Sequence, residues 1–438
     1  LEHAWVDGAV VDDVLVEIED SRFTAVTPGS GVDKFPRSTG ETVRLAGLTL
    51  PGFANCHSHA FHRALRGRTQ RGSGTFWTWR EQMYGVAGRL DPDSYFALAR
   101  ATFREMAAAG ITSVGEFHYL HHQPDGTPYD DPNAMGLAVV EAAREAGIRI
   151  CLLDTLYLSS GFGRAPEGVQ RRFSDGSGQK WVLRNMDLQD VVDRRDGVCL
   201  GSAIHSVRAV PEDQLIRVAE WGGGSPIHVH LSEQVAENDA CLATYGRTPT
   251  QLLADHDLLG ENVTVVHATH LTGADITHLG QSGTRACFCP TTERDLGDGI
   301  GPGRALAAAG ATITLGSDSH AVIDLLEEMR ALEMDERLAT QQRGHWTAAE
   351  LLAAGTAHGS LGFDDAGTIA VGQRADLVTI ATATPRTAGT GADEGTAVFA
   401  ATAADVTHVV ADGRVVATSD DHENIGRELA AAIGRLQP

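Results

Sequence analysis

Between residues 48 and 318 the chain repeats one pattern: a short apolar run, a polar loop, then a helical stretch. Candidate strands end at His57 and His59, then run over 111–118, 148–154, 198–208, 226–231, 263–267, 284–289 and 312–318, with helical stretches such as 95–108, 134–146 and 325–339 between them. Runs rich in Val, Ile and Leu without polar alternation suit strands buried on both faces, and strands joined by helical crossovers pair in parallel. Eight such units are the count of a closed barrel. The predicted fold is α/β, a (β/α)8 TIM-like barrel, and its functional residues are sought at the carboxyl ends of the strands.

The 438 residues leave room for more than one barrel, which takes about 250. Residues 1–47 alternate apolar and polar positions around Gly8, Gly29, Gly31 and Gly40, and a similar pattern returns after Gly372. Period-two alternation reads as half-buried strand. We therefore expect a small composite β-sandwich from residues 1–47 and 368–420, the hydrolase barrel over 48–367, and a C-terminal helix over 421–438, Ala-rich from Glu428 to Leu436. The stretch from Ser159 to Asp193, with Gly161, Gly163, Gly176, Gly178 and several charges, does not read as a plain crossover. It is expected to be a lid or substrate loop, or a surface insertion.

The strand ends carry the chemistry. Leu48 to Phe53 reads as a strand that delivers His57 and His59, which are two residues apart and so point the same way. Strand five supplies Ile-His-Val-His-Leu-Ser-Glu from Ile227, strand six Val-Val-His-Ala-Thr-His from Val265, and strand eight Leu-Gly-Ser-Asp-Ser-His from Leu315. Together His57, His59, His230 and Asp318 form a three-nitrogen, one-oxygen set that suits one divalent ion, Zn²⁺ by ligand preference, with a position open for water. Such an ion can bring the pKa of water from 15.7 to about 7. Hydrolysis then needs a proton carrier. Glu233, three residues beyond His230, is placed for that work, and His267 for steadying developing charge; with Asp318 these are the expected catalytic residues. The two lysines, Lys34 and Lys180, lie off strand four, which removes the bridging lysine that a two-metal site of this type would use.

These motifs resemble the amidohydrolase superfamily: His-x-His after strand one, His on strands five and six, Asp on strand eight. Longer strings, Phe-Trp-Thr-Trp-Arg-Glu from Phe76, Gly-Glu-Phe-His-Tyr-Leu-His-His from Gly115 and Ala-Ile-His-Ser-Val-Arg-Ala-Val from Ala203, are similar to the formimidoylglutamate deiminases within it. That resemblance implies conversion of N-formimino-L-glutamate and water to N-formyl-L-glutamate and ammonia, a step of histidine degradation. It implies that Arg80 and Arg208, with Tyr119, clamp the substrate's two carboxylates in the forked geometry guanidinium favours. His205 would lie near the formimino group. His62 stands where the family string carries glutamine, which leaves open an altered substrate or pH dependence.

Composition bounds partners. A formal net charge of −23 disfavours polyanions over most of the surface, so nucleic acid is not an expected partner. No apolar run reaches the roughly 18 residues of a membrane span. Six scattered cysteines do not make a disulfide framework, and the acidic opening residues do not read as a secretory signal; a cytoplasmic location is expected. The partners expected are a small dianionic substrate and, by base rate, a second copy in a homodimer. Two alternatives remain open. One is an aminohydrolase of a heterocyclic amine such as guanine, disfavoured because only 6% of residues are aromatic. The other is a metal-free scaffold, disfavoured because no ligand position is missing.

Overall fold

The terminal segments and the central repeats separate into two kinds of sheet. A computed structural model describes residues 1–29, 42–70 and 74–436; Gly31, Lys34 and Gly40 fall outside them. The first strands are β1 (His3–Val6), β2 (Ala9–Asp12), β3 (Leu15–Glu19), β4 (Arg22–Thr27) and β5 (Leu48–Pro51). The repeats give β6 (Phe53–Ser58), β7 (Ile111–His118), β8 (Arg149–Leu156), β9 (Val198–Ile204), β10 (Ile227–Leu231), β11 (Val263–His267), β12 (Arg285–Phe288) and β13 (Thr312–Leu315). Near the C-terminus follow β14 (Leu377–Ile380), β15 (Val406–Ala411) and β16 (Arg414–Thr418).

β6 to β13 form one eight-stranded parallel sheet in chain order, as the run of crossovers predicts. Every residue of β8 and β11 is buried, which accounts for their mostly apolar character. The ends of the sheet meet through a parallel bridge between Ser58 and Asp318. There Asp318 N–H donates to the His57 carbonyl at 3.0 Å, and His59 N–H to the Asp318 carbonyl at 3.3 Å. This makes the (β/α)8 barrel. Gly316 permits the closure, because a Cβ there would lie 2.8 Å from the backbone of His57.

The helices between the strands begin where the sequence places short polar caps. Asp91 accepts the Ser94 N–H at 2.8 Å ahead of Pro92–Ala108, and Thr272 opens Gly273–Gln281 in the same manner. The segment 159–193 is corrected by the structure. It contains the crossover helix Gly178–Val192, anchored by the buried Trp181 and Arg184, after a short 3-10 turn at Gly168–Phe173. Glycines and charges there hid a helix whose buried face mixes Trp181, Leu188 and Val192 with Arg184 and Asn185.

The single strand expected over 48–53 is also corrected. Leu48–Pro51 pairs with β1 and β14 in a six-stranded sheet ordered β16-β15-β14-β5-β1-β2, and Gly52 separates it from β6. At Gly52 a Cβ would meet Thr112 at 2.4 Å, so the chain passes from one sheet to the other where only glycine fits. Phe23 from the β3–β4 hairpin packs with Ala4, Leu377 and Val410 in a small second core. The last helix runs from His422 to Arg435, beginning a turn and a half before the Ala-rich stretch.

Arg149 at the start of β8 ties the barrel to the terminal sheet. Its guanidinium pairs with Asp376, both side chains being nearly inaccessible, and also reaches Asp412 at 2.9 Å. Burial works against the Asp376 charge, but the attraction and hydrogen bonds of Arg149 outweigh it and hold the carboxyl below the usual range. A carboxyl whose pKa is depressed on folding stabilises the protein above its unfolded value of about 3.9, and that contribution is lost as pH falls through the folded value. Arg149→Met should therefore cost about 3–5 kcal/mol at pH 7 by leaving a buried carboxylate unpaired. In guanidinium melts the gap to the parent protein should narrow below about pH 4.

Candidate active site

Four donor atoms converge at the barrel mouth. His57 and His59 come from the end of β6, His230 from β10, and Asp318 from the turn after β13. The His57 and His230 Nε2 atoms lie 3.1 Å apart, and those of His59 and His230 3.4 Å. Asp318 Oδ1 is 3.4 Å from Nε2 of both His57 and His59. All four donor atoms fall within 4.8 Å of one another.

The surrounding groups fix which nitrogen faces inward. His59 Nδ1–H donates to the Phe117 carbonyl at 2.9 Å, and His230 Nδ1–H to the His205 carbonyl at 2.8 Å. Each ring is left with its Nε2 lone pair aimed at the centre. Burial, reinforced by the neighbouring imidazoles, holds His57, His59 and His230 well below the ordinary histidine pKa, so they are neutral. Neutral imidazoles with converging lone pairs beside a carboxylate are poor company for each other and good company for a divalent cation. The donor set fits such an ion.

Among the described residues one other donor group lies within that spacing, His118, His121 and Asp154. Both oxygens of Asp154 there accept from Arg184, at 2.7 and 2.8 Å, and Trp181 and Asn185 also donate to the carboxylate. Positive charge already occupies the place a cation would take. This group is a buried network that seats the helix Gly178–Val192.

Beside the four donors sit Glu233 and His267. Ser232 adopts φ +53°, which turns the chain after β10 so that Glu233 folds back over the pocket. Its Oε1 is 3.8 Å from His267 Nε2, and His267 Nε2 is 3.8 Å from Asp318 Oδ2. Burial pushes the Glu233 carboxyl up to about 7, with His267 opposing and Asp318 adding to the shift. His267 feels the reverse: burial opposes its charge, but Glu233, Glu293 and Asp318 together raise it well above the ordinary value. Glu293 accepts from His267 Nδ1 at 3.3 Å and from Cys289 N–H at 2.9 Å. Glu293 was not anticipated from sequence. It follows β12, a strand whose end carries no histidine, and its signal is the Pro-Thr-Thr-Glu turn opening the next helix.

The cleft around this group encloses about 620 Å³ including its mouth. It is lined by His62, Arg80, Tyr119, His205 and Arg208, together with the donors His59, His230 and Asp318; His57 lies beneath. His62 Nε2 is 3.0 Å from the Tyr119 hydroxyl. Arg80 lies 4.5 Å over the Trp77 ring and 5.5 Å over Tyr84, with its Nε lacking a protein partner. Arg208 stands beyond the end of β9, four residues past where the strand stops, and its Nη1 donates to Glu237 at 3.3 Å. Six rings, from Phe76, Trp79, Tyr84, Tyr119, Tyr157 and Phe173, also face the cleft. Aromatic residues, 6% of the chain as a whole, are thus gathered here, so low overall aromatic content does not disfavour a heterocyclic substrate. His228 lies deeper, its Nε2 3.4 Å from the Ser360 carbonyl.

The amidohydrolase family model matches residues 48–416, from β5 through most of β16. The chain belongs to the amidohydrolase family. It is therefore a hydrolase of the kind that cleaves C–N bonds. This amidohydrolase is 37% identical over 414 residues to the formimidoylglutamate deiminase of Pseudomonas aeruginosa, covering 90% of each chain. It is 28% identical over 412 residues to a 5-methylthioadenosine/S-adenosylhomocysteine deaminase of Halobacterium salinarum, covering 92% of this chain and 88% of the other. An amidohydrolase from Brucella melitensis of solved structure superposes with a TM-score of 0.90 at 30% identity, covering 99% of this chain and 98% of that one.

The donor set makes a direct expectation for the amidohydrolase. His230→Ala removes a ligand atom near the other three, so the divalent ion content of the purified protein, read by elemental analysis, should drop sharply while the far-ultraviolet dichroism stays that of the parent. Full ion content in that variant would place the ion elsewhere.

Proposed function

We propose that this amidohydrolase is a formimidoylglutamate deiminase, hydrolysing N-formimino-L-glutamate to N-formyl-L-glutamate and ammonia with one Zn²⁺ held by His57, His59, His230 and Asp318. The observation that carries this reading is the presence of two arginines, Arg80 and Arg208, on the same small cleft as the donor set, in a chain of net charge −23. A cleft for a neutral base has no use for two guanidinium groups, whereas a dianion needs them. The similarity to the Pseudomonas aeruginosa enzyme supports the same substrate.

When bound, a divalent ion at this position lowers the pKa of water toward 7 and draws electron density from the carbon under attack. The protein's own groups do the rest. Arg208, steadied by Glu237, and Arg80, steadied on Trp77 and Tyr84, hold the two carboxylates, so the formimino carbon is placed over the donors. His62 and the Tyr119 hydroxyl, already hydrogen-bonded to each other, add polar contacts to the glutamate part. Glu233 takes the proton of the attacking water at Oε1 and delivers it to the leaving nitrogen; its pKa near 7 suits both halves of that transfer. The His267 imidazolium, backed by Glu293, stabilises negative charge as it develops. His205 borders the formimino end of the cleft. Six unpaired cysteines accord with a reducing compartment such as the cytoplasm.

The six rings around the cleft favour a second reading, deamination of a heterocyclic amine, a class to which the Halobacterium salinarum relative's name points. One assay separates the two. Metal-loaded protein offered N-formimino-L-glutamate should release ammonia; release from an adenine nucleoside or guanine instead would establish the second reading. Arg208→Met should lower kcat/KM for N-formimino-L-glutamate by about 10- to 100-fold, mostly through KM, because a charged hydrogen-bond partner of the substrate is lost. Its bound ion should be unchanged.

A further inference from the structure

Behind the four donor atoms runs a hydrogen-bonded chain that the proposed reaction does not use. Glu116, in the middle of β7, is fully buried. Its Oε1 accepts the backbone N–H of Ala60 at 2.7 Å, and its Oε2 accepts the Ser58 hydroxyl at 2.6 Å. Those two residues flank His59, and Ser58 separates His59 from His57. Tyr95 adds a longer contact from its hydroxyl, 3.4 Å from Oε1.

The chain continues to the other side of the site. Ser58 Oγ is 3.2 Å from His320 Nε2, and His320 Nδ1 is 3.0 Å from Ser317 Oγ. Asn55, on β6, closes the circuit: its amide donates to Ser317 Oγ at 2.7 Å and its carbonyl oxygen accepts the Ser317 N–H at 2.9 Å. Ser317 and His320 bracket Asp318. Asp318 and His320 themselves sit at φ +36° and +57°, left-handed conformations that a non-glycine residue keeps only where its surroundings enforce them.

We propose that Glu116 is a positioning residue for the metal centre: gripping Ser58 and Ala60, it fixes the backbone that carries His57 and His59 and, through His320 and Ser317, the turn that carries Asp318. A carboxyl buried in a strand is costly unless its hydrogen bonds are met, and an apolar side chain would fill the same space at less cost. Both of its oxygens are spent on the tripeptide Ser58–Ala60, which bears the donor His59 and directly follows the donor His57. Glu333 offers a contrast. It is as deeply buried on the helix Leu325–Thr340, and it accepts the N–H groups of Gly344 and Trp346 at 3.0 and 2.8 Å, away from the donors. Each glutamate accepts backbone N–H or hydroxyl groups of a single short segment, and Glu333 also accepts from Arg337 Nε at 2.6 Å, but of the two only Glu116 holds ligand-bearing backbone.

This inference rests on the reading of the four donors as a metal site. The test is Zn²⁺ affinity, measured by competition with a chromophoric chelator on the full-length protein, alongside thermal melts of the metal-free form. Glu116→Gln and Ser58→Ala should each weaken Zn²⁺ binding by about 10- to 100-fold, the range usual for groups that hold ligands in place. Glu333→Gln should bind as the parent does. Should Glu116→Gln not fold, Ser58→Ala decides, since it removes one hydroxyl. Affinities of the foldable variants within twofold of the parent, or an equal loss in Glu333→Gln, overturn the proposal alone. A parent protein that binds no Zn²⁺ overturns it together with the metal-site reading.

Discussion

Two backbone hydrogen bonds, from Asp318 to His57 and from His59 to Asp318, close the barrel between its first and last strands. The same three residues supply three of the four donor atoms. The seam of the fold and the centre of the site are thus one object, and the precision of the donors is inherited from sheet hydrogen bonding rather than from loop packing. Gly316 makes the approach possible by presenting no side chain to His57. Around the rim, the turn after β10 adds Glu233, the end of β11 His267, the helix Phe76–Ala87 Arg80 and the segment after β9 Arg208, none of which has to hold the donors.

Electrostatics sorts the groups at this mouth into three roles. Burial keeps the three inner imidazoles neutral, which leaves their lone pairs available. His267 takes the opposite path because three carboxyl groups surround it. The arginines are set farther out, each held by a partner that does not fill its fork: Arg80 by ring faces, Arg208 by a single contact to Glu237. A strongly acidic chain thereby keeps two guanidinium groups with open donors at its cleft.

Much of this was legible in the chain because barrel strands buried on both faces are mainly apolar, so a histidine or aspartate at the end of such a run stands out. That is how His57, His59, His230, His267 and Asp318 could be singled out. What sequence did not show has physical reasons as well. The break at Gly52 depends on Thr112, sixty residues away, leaving no room for a Cβ. The helix in 159–193 was masked because Arg184, a residue usually read as surface, is buried against two aspartates, Asp154 and Asp175. Glu293 follows a strand whose own end has no histidine or carboxylate, and the six rings of the cleft come from the helix Phe76–Ala87 and from Tyr119, Tyr157 and Phe173 farther along the chain. Composition averages over the whole molecule and cannot see such a gathering.

A barrel whose last seam passes through its own ligands cannot assemble a full binding set before it is topologically complete. Any partly folded species lacking the contact between β6 and β13 also lacks Asp318 beside the two histidines, and would hold a cation only loosely. On the proposed reading, ion capture requires ring closure, so a bound cation would favour finished molecules over unfinished ones.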